Sequence, residues 1–175
     1  MRWIYFLILV WAAVILQTSV IQALWLPTSL GYVGPEMLAC VAVFVSLRAR
    51  RGTDAALAGW VLGFALDLTG SGRGVGLLAL LYAAACAGIF SIREAFFSDR
   101  PMTQMILALV FCLFVYELWT AYDALTGEIG TGWWRAAVQA AGVAAYTAVL
   151  TPLVCGLLSR MQRLLILMPL RRWRR

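Results

Sequence analysis

The sequence predicts an all-α polytopic membrane protein, a bundle of about six transmembrane helices in which helices two and three are short and partly broken. Hydrophobic residues make up 63% of the 175 residues, charged residues make up 13%, and the mean hydropathy is +0.88. This composition excludes a protein that is soluble alone. The length allows about six spans of roughly 20 residues, and leaves no room for a separate aqueous domain.

Six apolar segments, taken in chain order, predict the helices. The first covers residues 3–25 and is longer than the hydrophobic region of a signal peptide, which indicates a retained helix. The second covers 35–47 and the third 55–69, and both are short for a bilayer. The remaining helices are predicted over 75–92, 102–122 and 133–158, the last with a kink at Pro152.

The distribution of arginine predicts the orientation, because short cytoplasmic loops carry an excess of positive charge. In a six-span arrangement only Arg73 and Arg135 fall on the outer side. The inner side holds Arg2, Arg48, Arg50, Arg51, Arg93, Arg100 and the arginines of the C-terminal tail. We therefore expect a multi-pass protein of a bacterial inner membrane with both termini in the cytoplasm. An outer aromatic belt is predicted from Trp25, Trp119, Tyr122, Trp133 and Trp134.

The C-terminal tail combines arginines with apolar residues. We predict a transmembrane domain over residues 1–158 and a basic amphipathic cytoplasmic tail over 159–175. Attraction to anionic lipids of about 1 kcal/mol per arginine favours binding to the membrane surface, with docking onto a cytoplasmic protein as the alternative. Nucleic-acid binding is not expected. The membrane-surface residues are predicted to be Arg160, Arg163, Arg171, Arg172, Arg174 and Arg175.

The segment around Asp67 is the most informative part of the chain. Gly59, Gly63 and Asp67 are spaced four apart, so they lie on one helix face with no side-chain bulk beneath the carboxyl group. Small residues at this spacing let another helix approach closely. Asp67 also precedes a glycine-rich turn, and an ionisable residue at such a place in a membrane indicates a functional role.

Acidic residues gather on the predicted outer side. Glu36, Asp67, Glu117 and Asp123 lie there with Arg73 and Arg135, so we expect ion pairs among these six without assigning partners. For Asp123 a solvated loop charge is the favoured explanation, whereas Asp67 and Glu117 are expected to have a buried packing or contact role.

Glu36 also has a simpler explanation. Pro35 at the first helical position followed by Glu36 would complement the helix dipole, and such capping alone could explain the acidic residue. Capping does not explain the short second and third helices, which are typical of helices broken around a binding site or of tilted, partly re-entrant helices. Gln17 belongs to a polar patch in the first helix, for which local packing and partner contact stay equal alternatives.

Catalytic groups are scarce in this sequence. The chain has no histidine, which removes the usual general base and a common metal ligand. Its four cysteines sit singly without a CxxC pair, and the glycine-rich turn lacks the lysine of a phosphate-binding loop. Asp67 with Glu117 is the one acid–base pair considered, but neither a nucleophile nor a cofactor site accompanies it. We therefore predict a protein that is not an enzyme and has no cofactor or metal.

Several of these residues together resemble the rod shape-determining MreD family. The resemblance extends over nearly the whole chain, and its specific part lies between Pro35 and Tyr82. Glu36 stands where the family often has Asp, and the turn between Asp67 and Gly76 is one residue longer than usual. The matching residues are Gln17, Pro35-Glu36, Gly59-x3-Gly63-Phe64-x2-Asp67-Leu68-x-Gly70 and Gly74-Val75-Gly76-Leu77-x-Ala79-Leu80-Leu81-Tyr82.

The resemblance implies a non-enzymatic scaffold subunit of the bacterial cell-elongation machinery, which directs peptidoglycan synthesis in rod-shaped cells. MreD proteins bind MreC, a single-span protein with a periplasmic domain, and work with MreB, RodA and a penicillin-binding protein. A homo-oligomer is left open. The residues expected to contact the partner or to brace the fold are Gln17, Pro35, Glu36, Gly59, Gly63, Asp67, Gly70, Arg73, Gly76 and Glu117.

The alternative function is that of a small-molecule binding subunit of a vitamin transporter, because MreD proteins are similar in helix arrangement to such six-span subunits. Those subunits usually carry an Ala-x3-Ala surface on helix one. Here Ala12 and Ala13 are followed four residues later by Leu16 and Gln17. Lipid handling by the outer polar residues is a third hypothesis.

Overall fold

The computed structural model describes residues 3–19, 26–28, 31–69, 76–93, 100–127 and 132–165. These residues form six α-helices and one β-hairpin. The helices are α1 (Trp3–Ser19), α2 (Met37–Arg48), α3 (Gly52–Thr69), α4 (Leu77–Ile92), α5 (Pro101–Leu125) and α6 (Trp133–Leu165). The hairpin strands are β1 (Leu26–Thr28) and β2 (Gly31–Val33).

The short helix α2 is the centre of the bundle. Residues 38–48 are all buried, and α2 contacts each of the other five helices. Its sequence, which is apolar apart from Ser46 and Arg48, explains this position, since a helix that is hydrophobic on all sides has no face suited to water. With 12 residues α2 is about 18 Å long, less than the roughly 30 Å of a bilayer core. Glu36 and Ala49, the residues that flank α2, are buried as well.

The other helices pack around α2 as two antiparallel hairpins and a peripheral helix. The α3–α4 and α5–α6 pairs form the most extensive helix interfaces, and α1 packs on α2, α3 and α6. Two helices, Pro101–Leu125 and Trp133–Arg160, are long and apolar enough to cross a membrane, while α1, α2 and α4 are shorter apolar helices. The outer face of α1 exposes Ile4, Ile8 and Trp11. These features are those of a helical membrane protein, and the six-span count stays a prediction.

The β-hairpin was not predicted from the sequence. Leu26 pairs with Val33 and Thr28 with Gly31 in an antiparallel register, and Val33 lies against Gly142 of α6. The first helix was predicted to extend to residue 25, close to the start of β1. In the structure α1 ends at Ser19, and residues 20–25 lie outside the described part. Pro27, which cannot donate to a helix, fits an edge strand instead.

Helix boundaries elsewhere follow the prediction closely. The predicted short second helix is confirmed. The prediction that helix three is also short and partly broken is wrong, because α3 is a continuous helix of 18 residues. Helix α6 contains Pro152 and continues to Leu165, beyond the predicted end at 158. The division into domains 1–158 and 159–175 therefore falls inside a continuous helix and stays a prediction.

The two ends of the bundle carry different charges. At one end, which we call the arginine end, Arg93 at the end of α4 donates from Nη1 to the Ala49 carbonyl after α2, at 2.5 Å. The start of α5 and the last part of α6 meet α2 at the same end, where Arg48 and Pro101 line one cavity. The opposite, acidic end holds Glu36 and Asp67, at the start of α2 and the end of α3.

Candidate functional site

The carboxyl group of Glu36 joins three helices at the acidic end. Glu36 is the residue before α2 and is only 3% exposed. Tyr82 of α4 donates its hydroxyl to Glu36 Oε1 at 2.5 Å, and Tyr116 of α5 donates to Oε2. Both carboxyl oxygens are thus used by side chains from other helices.

The backbone at the start of α2 is also satisfied by distant side chains. The Glu36 N–H donates to Thr147 Oγ1 of α6 at 3.0 Å, and the Met37 N–H donates to Gln17 Oε1 of α1 at 2.7 Å. The first N–H groups of any helix lack partners within that helix, and an unsatisfied group in a membrane costs several kcal/mol. Gln17 and Thr147 therefore cap α2 from other helices.

We call these five residues the Glu36 cluster: Gln17, Glu36, Tyr82, Tyr116 and Thr147. They come from α1, the start of α2, α4, α5 and α6. No buried side-chain nitrogen or oxygen in the described residues lacks a hydrogen-bond partner. The cluster joins five helices at the start of α2, through the Glu36 carboxyl group and through the backbone N–H groups of Glu36 and Met37.

The capping explanation for Glu36 is wrong. Helix α2 begins at Met37, and the Glu36 side chain makes no capping hydrogen bond, since its oxygens are held by tyrosines. Pro35 is buried before the helix and does not occupy its first position. Ion pairs were expected among the outer carboxyl groups, Arg73 and Arg135, without assigned partners; within the described residues Glu36 contacts hydroxyl groups, and Arg73 lies outside them.

Sequence reasoning missed the tyrosines and the threonine of the cluster. Tyr116 is one of several aromatic residues on α5, and only some of them face outward. Phe111 is buried and packs edge-on against Tyr82 with ring centroids 5.0 Å apart, whereas Phe114 is exposed. The available signal was chemical, because a tyrosine inside an apolar helix needs a partner for its hydroxyl group.

Asp67 caps a different helix from across the α3–α4 hairpin. It is 6% exposed, and its Oδ2 accepts from the Gly76 N–H at 2.8 Å and from the Ala79 N–H at 3.3 Å. Gly76 precedes α4 with φ of 106°, a left-handed conformation that favours glycine. Because glycine has no side chain to cap the helix, Asp67 supplies the oxygen from α3.

Gly59 and Gly63 bring α3 close enough for this contact. A Cβ atom at Gly63 would lie 2.5 Å from the Leu78 carbonyl oxygen, and one at Gly59 would lie 2.6 Å from the Tyr82 carbonyl oxygen. Neither position has room for a larger residue. The face of α3 formed by Gly59, Gly63 and Asp67 therefore packs directly on α4, as the spacing predicts.

The remaining predicted site residues are placed apart from one another. Glu117 is half-buried on α5, next to Tyr116. Helix α3 packs on α1, α2 and α4, whereas α5 packs on α2, α4 and α6, so Asp67 and Glu117 do not share one of these interfaces. Arg160 is exposed on α6, which also includes Arg163. The predicted residues Gly70, Arg73, Arg171, Arg172, Arg174 and Arg175 lie outside the described part.

No group of three or more His, Cys, Asp or Glu side chains in the described ranges could hold a metal ion. The four cysteines are buried on separate helices as free thiols. The polar groups at the acidic end are arranged to brace helices and helix ends.

Comparison with known proteins identifies one family. The model of the family described as rod shape-determining protein MreD matches residues 1–161. No curated protein and no solved structure matches the chain significantly.

Proposed function

Because the chain belongs to the MreD family of rod shape-determining proteins, we propose that it is a scaffold subunit of the bacterial cell-elongation machinery that binds an MreC-like single-span membrane protein. The family itself implies a role in determining rod shape and a membrane location. It is a family of structural proteins rather than known enzymes. The proposed scaffold has no catalytic role and acts in peptidoglycan synthesis with MreB, RodA and a penicillin-binding protein.

The proposed topology is a multi-pass inner-membrane protein with both termini in the cytoplasm. The grouping of arginines supports it, because Arg48, Arg50 and Arg93 lie at the same end of the bundle as Arg100 before α5. Positive charge concentrated at one end marks the cytoplasmic side. The acidic end, with the exposed residues Trp133 and Trp134 at the start of α6, would then face the periplasm.

Helix α3 is the proposed contact surface for the partner. Helices two and three were both expected to contact the partner. Helix α2 is enclosed by the other helices, so its proposed role is to stabilise the bundle. Helix α3 packs on α4 through its glycine face and keeps an apolar stripe turned outward. Leu57, Trp60 and Leu68 are exposed along this stripe, and the rings of Trp60 and Phe64 stack with centroids 5.5 Å apart. A single transmembrane helix could pack along such a stripe.

The single observation that carries the proposal beyond the family match is the Asp67 cap. Its two hydrogen bonds join the end of α3 to the start of α4, so they set the direction in which the α3 stripe is presented. Loss of the cap would make the position of the α3 stripe relative to α4 less fixed, and the buried core of the bundle would stay in place.

The experiment that tests the scaffold role uses Asp67→Ala in the full chain co-expressed with the MreC-like protein of the same organism. We expect folded protein at normal yield and loss of the co-purified partner, because the α3–α4 hairpin is no longer fixed. Asp67→Asn keeps an acceptor oxygen and is expected to retain the complex. Asp123→Ala, which removes a half-buried carboxyl group near the end of α5, is the matched control.

A wild-type complex in Asp67→Ala would contradict the role given to the cap. Proteins and small molecules are identified in the same wild-type preparation. A bound vitamin-like ligand, or an assembly with an ATPase and no single-span partner, would overturn the scaffold function itself.

A further inference from the structure

A cavity of about 250 Å³ lies at the arginine end of the bundle. Its walls come from three helices: Arg48 ends α2, Pro101 and Gln104 lie in the first turns of α5, and Pro152 and Gly156 belong to α6. Gly156 is exposed and carries no side chain, so the cavity is open on the α6 side. No function described above uses this space.

Arg48 differs from the arginines that follow it. Arg48 is 6% exposed, whereas Arg50 and Arg51 are exposed to the surroundings. The Arg48 guanidinium lies over the Phe44 ring at 4.5 Å, which holds its plane against the protein. A positive charge that only marked the cytoplasmic side would be exposed like its neighbours. Arg48 is instead positioned on the wall of a cavity.

The cavity walls favour an anion. None of the lining residues within the described part of the chain is acidic, and Gln104 adds a buried side-chain amide to the same wall. Helix α5 begins at Pro101, so the positive end of its dipole points toward the same space. Guanidinium groups recognise phosphate oxygens through paired hydrogen bonds.

We propose that this cavity binds the phosphate group of an anionic phospholipid headgroup. The flanking helices α5 and α6 are the two that are long and apolar enough to cross a membrane. A basic pocket between such helices on the cytoplasmic side lies at the depth of lipid phosphates. Drug-sized ligands occupy pockets of about 300–1,000 Å³, so the present volume suits a headgroup rather than a nucleotide. This site does not depend on the proposed protein partner.

The first test measures phosphatidylglycerol bound to the full-length protein in detergent by native mass spectrometry, with phosphatidylcholine as the zwitterionic comparison. Arg48→Gln is expected to weaken phosphatidylglycerol binding about tenfold or more, because a charge-assisted contact is lost. Arg50→Gln removes the same charge from an exposed position and should change binding less than about twofold. Equal binding of the two lipids by wild type, or equal effects of the two variants, would overturn the proposal.

A second pair of variants leaves Arg48 in place and blocks the cavity. An added Cβ atom meets no other atom within 4 Å at Gly156 or at Gly88, and both glycines are exposed on helices. Gly156→Leu should fill the cavity and lower phosphatidylglycerol binding about tenfold, with the fold intact. Gly88→Leu on α4, which contributes none of the described lining residues, should bind as wild type. Wild-type binding by Gly156→Leu would contradict the site.

Inorganic phosphate distinguishes a lipid from a soluble source of the same group. Millimolar phosphate is expected to leave bound phosphatidylglycerol in place, because the acyl chains hold the lipid in the membrane boundary as well. Displacement of the lipid at equal potency by phosphate would assign the cavity to a soluble anion and overturn the lipid proposal.

Discussion

At one end of α2 the carboxyl group of Glu36 is enclosed by two tyrosine hydroxyls, whereas at the other end the guanidinium of Arg48 borders an open cavity. Both side chains are almost fully buried. The first has its oxygens occupied by protein groups, and the second lies beside space that a ligand can enter. Burial of an ionisable group is therefore not by itself a sign of binding, and the surrounding groups decide its role.

The same comparison applies to the backbone at the two ends. Gln17 and Thr147 accept the first N–H groups of the α2 region, and Arg93 donates to the carbonyl of Ala49 at its end. These contacts come from α1, α6 and α4. Helix α2 has helix-stabilising partners at both ends, but none of them belongs to α2 itself.

Removal of the Glu36 carboxyl group at the acidic end should have the largest effect on stability. Glu36→Ala leaves the hydroxyls of Tyr82 and Tyr116 buried without their acceptor, at about 1–3 kcal/mol each. We expect the free energy of unfolding in detergent, measured by denaturant titration, to fall by about 3 kcal/mol or more. Glu117→Ala, one residue beyond Tyr116, should change it by less than about 1 kcal/mol. An unfolding curve for Glu36→Ala that coincides with wild type would remove the bracing role.

Variants of the two tyrosines test whether their hydrogen bonds to Glu36 are energetically coupled. Tyr82→Phe and Tyr116→Phe should each lower the free energy of unfolding by about 2 kcal/mol, because each removes one hydrogen bond to the same buried group. The double variant should depart from the sum of the two losses, since residues in one hydrogen-bond network are coupled. Strictly additive losses in the same titration would mean that the two hydroxyls act independently.

The smallest effect on stability is expected from loss of the side chain that caps the start of α2. Gln17→Ala removes the acceptor of the Met37 N–H and should lower the free energy of unfolding by about 1 kcal/mol. Thr18→Ala is the matched control, because the exposed Thr18 hydroxyl donates to carbonyls of its own helix, at 3.0 Å from Val14 and 3.3 Å from Ile15. Equal losses in the two variants would show that the cap from α1 contributes nothing specific.

The sequence predicted the structure best where the residues that determine it lie close together in the chain. Gly59, Gly63 and Asp67 lie within three turns of one helix, so their common face and its close contact with another helix could be predicted. The short length of α2 could be predicted from Pro35 and the arginines that follow residue 47.

The Glu36 cluster could not be assembled from the sequence, because its members are far apart in the chain. Tyr82, Tyr116 and Thr147 follow Glu36 by 46, 80 and 111 positions. Helical periodicity says which face a residue occupies, but it does not say which helix that face meets. Charge alone suggested ion pairs among the outer residues without saying which residues meet, and the packing of α4 and α5 on α2 brings two hydroxyl groups to Glu36.

The dependence of α2 on other helices determines when it can form. The hairpins α3–α4 and α5–α6 join neighbours in the chain, and contacts at short sequence separation close early in folding. Helix α2 is too short to span the bilayer, and its end groups find partners only after α1, α4 and α6 have arrived. We therefore expect α2 to reach its final place after the two hairpins that follow it in the chain have formed.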